Sequence, residues 1–281
     1  MIPQTFDYSA PKTLQDVLAL IADGDRKILA GGMSLIPLMK LRLAAPNEVV
    51  DIGRVPGLNS ISESGGVVHI GTMATHHAVE TSAVVRGQSP LLAETASHVG
   101  DVQVRNVGTI GGAVAHADPA ADYPAALVAL EAQVHLVSAK TDRTVAASDF
   151  FQDAFTTALE PGEIVLDIQV PIEDKSEGYC YEKVRHPASG FAVVGIAARI
   201  RKSSGKITMA RIGVTGMGSH AFRALAAEKV LEGGGSAADA AALVGEGEIP
   251  NSDLYASADY RLHLARVHAA RALAVAISRA S

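Results

Sequence analysis

The apolar positions of this chain change their spacing as the chain advances, and each change marks an element. Leu14, Val17, Leu18 and Ile21 recur three and four residues apart, the spacing of one helical face, and predict a helix over Thr13 to Ala22. Thr13 with Asp16 reads as a capping-box-like start, and Gly24 as its stop. Ile28 to Ala30 predicts a short buried strand that ends at Gly31-Gly32. Leu35 to Leu43 predicts a short helix, and Glu48 to Ile52, after Pro46, another strand. This β-α-β alternation predicts a small first subdomain.

From about Leu58 the pattern differs. Gly65-Gly66 is a hairpin signal before the strand-like run Val67, Val68, His69, Ile70. Thr75 to Ala83 and Pro90 to Val99 read as helical. Asp101 to Ile110, rich in β-branched residues, reads as a strand that carries the second glycine turn. Asp122 to Leu130 is helical, and Ala132 to Ser138 and Glu163 to Val170 are strands. Pro171 and the polar run from Glu173 to Gly178 form a boundary. The last hundred residues begin with strands (Tyr179 to Val184, Phe191 to Arg201, Lys206 to Thr215), with a hairpin loop around Ser203-Ser204-Gly205. Helices follow at Ala221 to Leu231, Ser236 to Val244 and Ser257 to Ser278. Strands followed by helices indicate an α+β unit. The expected division is 1–55, 56–175 and 176–281.

Composition narrows the function. Of 281 residues, 48% are hydrophobic and 19% charged, which describes a globular chain with real cores. A net charge of -6 without a Lys/Arg cluster argues against nucleic acid and anionic membrane as partners. Cys180 is the single cysteine, so this chain holds no disulfide framework, cysteine-bound iron–sulfur cluster or zinc finger. Met1 to Ala10 lacks the basic start and apolar core of a signal peptide. No apolar stretch approaches the roughly 20 residues that span a bilayer, so a cytoplasmic protein without membrane insertion is expected. Trp is absent, so a planar ring would be held by aliphatic side chains and backbone.

The candidate chemistry lies in the two glycine segments, about eighty residues apart. Ala30-Gly31-Gly32-Met33-Ser34-Leu35 and Gly108-Thr109-Ile110-Gly111-Gly112-Ala113 each remove side chains from a turn. Successive N–H groups there can bind an anion, and Ser34 can add a hydroxyl. Two such turns could close on one diphosphate; two ordinary tight turns are the alternative. Neither fits G-x-G-x-x-G or the Walker pattern. Asp118 and Asp122 read either as ribose acceptors or as helix caps. His116 could contact a phosphate or ribose. Lys183 and Arg185 either reach toward a cofactor or are exposed strand charges. The histidines show no metal-ligand spacing, and Ser219-His220 lacks the spacing of a nucleophile elbow.

In combination and in this order, the two glycine segments, Arg105-Asn106, Ala115-His116-Ala117-Asp118-Pro119 with Asp122, and Glu163-Ile164 before Pro171 resemble the FAD-binding medium subunit of the molybdenum hydroxylases, over nearly the whole chain. The resemblance implies an α+β fold: a vanillyl-alcohol-oxidase-type FAD-binding domain of two α/β subdomains, then an α+β C-terminal domain, strands before helices. It implies that Ile28, Leu29, Ala30, Gly31, Gly32, Met33, Ser34 and Leu35 form one pyrophosphate loop, and Thr109, Ile110, Gly111, Gly112 and Ala113 the other. Asp122 is implied near the ribose, Val99 and Val165 around the flavin and adenine, and Lys183 approaching the flavin, with His116 and Asp118 as further contacts. Met33 and Ala113 depart from the polar residues frequent there, so two side-chain hydrogen bonds are lost while backbone donors remain.

The resemblance further implies FAD in this chain, no catalytic acid or base, and no metal. The molybdopterin cofactor is implied in a large partner subunit and two [2Fe–2S] clusters in a small iron–sulfur subunit. Electrons would pass through FAD to an external acceptor, in a dimer of heterotrimers. A free-standing FAD oxidoreductase of the same fold and a flavin-free assembly subunit are the rival readings.

Overall fold

A computed structural model describes residues 1–23 and 26–281; the predicted stop at Gly24 lies outside the described residues. The first unit holds β1 (Asp7–Ser9), α1 (Leu14–Ile21), β2 (Lys27–Leu29), α2 (Leu35–Lys40) and β3 (Glu48–Asp51). Its three strands form a parallel sheet in the order β1-β3-β2. The α1 helix starts where Thr13 Oγ1 accepts from the Asp16 N–H, and it buries Val17 and Ile21, two of the four residues on its predicted face. The predicted strand at residue 28 is present but half-buried, because Ile28 faces an open cavity.

The second unit begins with the hairpin β4 (Ile61–Ser64) and β5 (Val67–Gly71). Gly65 and Gly66 at its tip have φ of 60° and 81°, the paired left-handed conformation of a tight hairpin. Six helices follow: α3 (His76–Thr81), α4 (Ala83–Gln88), α5 (Pro90–Ser97), α6 (Val102–Val107), α7 (Ile110–His116) and α8 (Tyr123–Ala129). The chain then returns through β6 (Gln133–Val137), β7 (Asp142–Ala146), α9 (Ala147–Phe150), the small pair β8 (Phe151–Asp153) and β9 (Thr156–Thr157), and β10 (Ile164–Pro171). The sheet is antiparallel in the order β4-β5-β10-β6-β7.

One prediction fails here. The stretch 101–110 is not a strand. Asp101 Oδ1 accepts from the Val104 N–H at 2.8 Å and starts α6, and Thr109 starts α7, so two caps override the β-branched composition. The helix read over 75–83 is present as α3, and a further helix that the sequence did not suggest follows it, because Ser82 leaves helical geometry and caps α4 through the Val85 N–H.

The third unit holds β11 (Gly178–Arg185), β12 (Ala192–Ser203), β13 (Lys206–Thr215) and β14 (Phe222–Arg223), an antiparallel sheet in that order. Helices α10 (Leu225–Glu232), α11 (Ala237–Ala242) and α12 (Ala258–Arg279) complete it. The helix read from Ala221 starts later, because Phe222 and Arg223 pair with Val214 and Gly213 as β14. The 203–206 hairpin turns at Ser204 and Gly205, both at positive φ.

Helix α8 joins the second and third units. Its sequence is apolar on every side, and all seven residues are buried between its own unit and the new sheet. A Cβ on Gly213 of β13 would lie 1.9 Å from Ala125 O, so glycine lets the sheet reach the helix backbone. The segment before α8 is tied to the same sheet. Thr215 Oγ1 donates to Pro119 O and Ala121 O, and the Ala192 N–H donates to Ala120 O. The third unit thus fixes the residues that carry Asp118 and Asp122.

Candidate functional site

The first glycine segment leaves β2 and enters α2. Gly32 has a φ of +71°, a conformation costly for residues with a Cβ. Among the described residues, the backbone N–H groups of Gly31, Gly32, Met33 and Ser34 find no hydrogen-bond partner. Ser34 occupies the N-cap position of α2, yet its hydroxyl makes no cap bond. Four amides and a hydroxyl are therefore free in one bend, an arrangement suited to an anion.

The second segment differs. The N–H of Ile110 donates to Ala74 O and that of Gly111 to Thr72 O, both at 3.0 Å. Gly112 donates to Thr109 Oγ1 at 3.2 Å, and Ala113 to Thr109 O at 3.0 Å. The expectation of bare amides in both segments therefore holds in the first and is corrected for residues 110–113. Here the glycines serve packing: a Cβ on Gly111 would lie 1.8 Å from Thr72 Oγ1 and 2.7 Å from Thr72 Cα.

The two segments touch. A Cβ on Gly31 would sit 2.2 Å from Val107 O and 2.8 Å from Gly108 Cα, and one on Gly112 would sit 3.7 Å from the Ala30 Cβ. At this crossing a cavity of about 610 Å³ opens among the three units. Its wall includes Ile28 and residues 30–35 from the first segment; Val99; Thr109, Gly111, Gly112 and Ala113 from the second; His116, Asp118 and Asp122; and Val165 of β10. Two predicted contacts turn away. Leu29 packs its side chain behind Gly32, and Ile110 is fully buried in the core of the second unit. Lys183 stands behind the wall.

Its partner there is Asp122. Lys183 Nζ donates to Asp122 Oδ2 at 2.8 Å and to His98 O at 3.0 Å, while Tyr181 OH donates to Asp122 Oδ1 at 2.6 Å. Both side chains of the ion pair are almost fully buried. Burial pushes the Asp122 carboxyl up and the Lys183 ammonium down, each opposed by the charge of the other. Asp122 stands at the N-cap of α8 without capping it. Each of its oxygens accepts one bond, so it fixes the wall, while both keep a further lone pair. Asp118 instead closes a turn, accepting from the Ala120 N–H at 2.9 Å. His116 packs on Phe155 with ring centroids 5.1 Å apart, and burial pushes its imidazole down.

Sequence reasoning missed three parts of the wall: His76 with Tyr123, Thr72, and the Ser189-Gly190-Phe191 turn of the third unit. The available signal was Thr75, which caps α3 and thereby fixes His76 at its first position. The rest of the wall is largely aliphatic, with Leu35, Leu38, Ile52 and Ile164 facing the space. Free amides at a crossing, flanked by an apolar wall, suit a long ligand with an anionic middle and a planar end.

Comparison with known families bears on which ligand. Residues 4–173 match the FAD binding domain in molybdopterin dehydrogenase, and residues 179–276 match the CO dehydrogenase flavoprotein C-terminal domain. This chain belongs to the FAD-binding medium subunits of the molybdenum hydroxylases. It is 39% identical to the carbon monoxide dehydrogenase medium chain of Hydrogenophaga pseudoflava, over 99% of each chain. It is 36% identical to the 6-hydroxypseudooxynicotine dehydrogenase complex subunit alpha of Paenarthrobacter nicotinovorans, over 100% of this chain and 97% of that one. Among solved structures it is similar throughout to carbon monoxide dehydrogenase from Hydrogenophaga pseudoflava lacking the Mo-pyranopterin moiety, with a TM-score of 0.97 and 40% identity over 100% of both chains. It is also similar to quinoline 2-oxidoreductase from Pseudomonas putida 86, with a TM-score of 0.94 and 35% identity over 100% of this chain and 99% of that one. FAD, the cofactor of the family, fits the residues present: the free amides of residues 31–34 suit its diphosphate, and the aliphatic wall suits its ring.

Proposed function

We propose that this chain is the electron-transferring FAD subunit of a heterotrimeric molybdenum hydroxylase. A small iron–sulfur subunit and a large molybdopterin subunit complete the enzyme, two heterotrimers pair, and the complex works in the cytoplasm. FAD supplies the chemistry of accepting electrons from iron–sulfur clusters and releasing them to an external acceptor. The protein holds and insulates it. The N–H groups of Gly31, Gly32, Met33 and Ser34 and the Ser34 hydroxyl would donate to the diphosphate, offsetting its charge. Val99, Ile164 and Val165 line the same space and would shield the ring from water. The Asp122–Lys183 pair keeps the wall rigid. Clusters belong on another chain, since Cys180 is buried and its thiol is pushed up to about 12 by that burial.

The observation that carries this reading is the bend of free amides opening on the cavity. Gly32→Val tests it. A β-branched residue at a φ of +71° distorts the bend at a cost of about 1–3 kcal/mol, and the neighbouring Ile36 side chain can shift. The purified variant is expected to lose most of its FAD, read by flavin absorbance, while partner subunits keep their metal centres. Unchanged flavin content refutes the assignment.

A further inference from the structure

His76 lies on the cavity wall, apart from both the free-amide bend and the Asp122–Lys183 pair. It begins α3, its N–H donates to Gly108 O at 3.0 Å, and its ring packs tilted on Tyr123 with centroids 5.3 Å apart. The glycine at 108 makes this possible: a Cβ there would lie 2.6 Å from His76 Nε2. Gly108 therefore touches Gly31 on one side and His76 on the other, which puts the imidazole beside the crossing of the two segments.

The hydrogen bonds assign its proton. Tyr123 is fully buried, and among the described residues its hydroxyl meets one polar partner, His76 Nδ1, at 3.3 Å. If Nδ1 carried the proton, the phenol hydrogen would be left buried without an acceptor. Donation from Tyr123 to Nδ1 satisfies both groups and leaves the proton on Nε2. Among the described residues Nε2 has no partner, yet it is not one of the enclosed orphan atoms, so it opens on the cavity. Burial, with Arg105 nearby, pushes the imidazole down to about 4, so the ring is neutral at physiological pH.

We propose that His76, oriented by Tyr123, donates an uncharged Nε2–H hydrogen bond to the FAD diphosphate where the two glycine segments cross. This rests on the reading that the cavity holds FAD. The second segment, whose own amides at 110–113 are engaged, thus leaves the donor's place to His76 of α3, and Gly108 is the opening beside which the imidazole reaches.

The test is titration of the deflavinated full chain with FAD, followed by flavin fluorescence, together with phosphorus NMR of the bound cofactor. His76→Phe is expected to weaken FAD binding about tenfold or more, the loss of one hydrogen bond to a charged group. It is also expected to move the diphosphate resonances. His76→Gln, which keeps an N–H donor, should recover part of the affinity. Affinity within about twofold of wild type, or unmoved phosphorus resonances, overturns the proposal. If His76→Phe fails to fold, Tyr123→Phe decides: freeing Nδ1 to take the proton should weaken binding several-fold and move the same resonances, and no change overturns the proposal. A wild-type chain that binds no FAD refutes the reading of the cavity instead.

Discussion

The two glycine segments read alike in sequence and differ in structure. At Gly31-Gly32 the backbone follows a strand, bends through a left-handed residue and leaves four amides unengaged. At Gly111-Gly112 the glycines sit in the first turn of a helix whose amides are already bound to Thr72, Ala74 and Thr109. One pair exists for what the backbone can offer a ligand. The other exists because a side chain would strike Thr72. A glycine pair therefore says that a Cβ is unwelcome, not why; the reason lies in where the adjacent amides point.

The sharpest way to break this contrast is Gly111→Val. The added carbons collide with Thr72 backbone and side chain, so the apoprotein should lose about 3 kcal/mol or more in denaturant unfolding, with FAD loss following from the instability. A stable variant that merely loses FAD would make the second segment a ligand cradle like the first.

A slightly smaller effect should come with pH. The folded-state pKa of His76 lies near 4 against an ordinary 6.5. Below pH 6.5 the unfolded chain takes up a proton that the folded chain refuses until about pH 4. Stability is therefore lost as pH falls through that window, by about 3 kcal/mol in all. Glu173, pushed up to about 7 mainly by burial, has the opposite slope between 4.5 and 7, so the measurement compares wild type with His76→Gln. Equal pH slopes in the two proteins would mean that the imidazole is not packed against the second segment as described.

Ser34→Ala should do least. Its hydroxyl bonds nothing in the helix it precedes, so apoprotein stability should stay within a few tenths of a kcal/mol. FAD affinity should fall roughly fivefold, about 1 kcal/mol. A fall in stability without a change in affinity would show a cap where we describe a ligand donor.

What was legible in the sequence was whatever local chemistry decides. The helical face of Val17 and Ile21, the Gly65-Gly66 and Ser204-Gly205 hairpins and the run into Gly31 follow from neighbours a few residues away. What was not legible depends on distant partners or on competing local signals. Residues 101–110 carry strand-forming side chains, and their helices rest on caps at Asp101 and Thr109. Asp122 sits where a cap belongs, but its partners Tyr181 and Lys183 arrive about sixty residues later, so its role as a buried anchor was invisible. Strand β14 exists only because β13 offers an edge to pair with. His76 was passed over because its significance depends on Gly108, Tyr123 and Gly31 meeting around it.

Amide hydrogen exchange with and without FAD tests the central claim most directly. The N–H groups of residues 31–34 should exchange rapidly in the apoprotein and slow by about tenfold or more when FAD binds, while those of residues 110–113 should be slow in both states. Protection at 31–34 before FAD is added, or protection on binding that appears at 110–113 instead, would contradict the account.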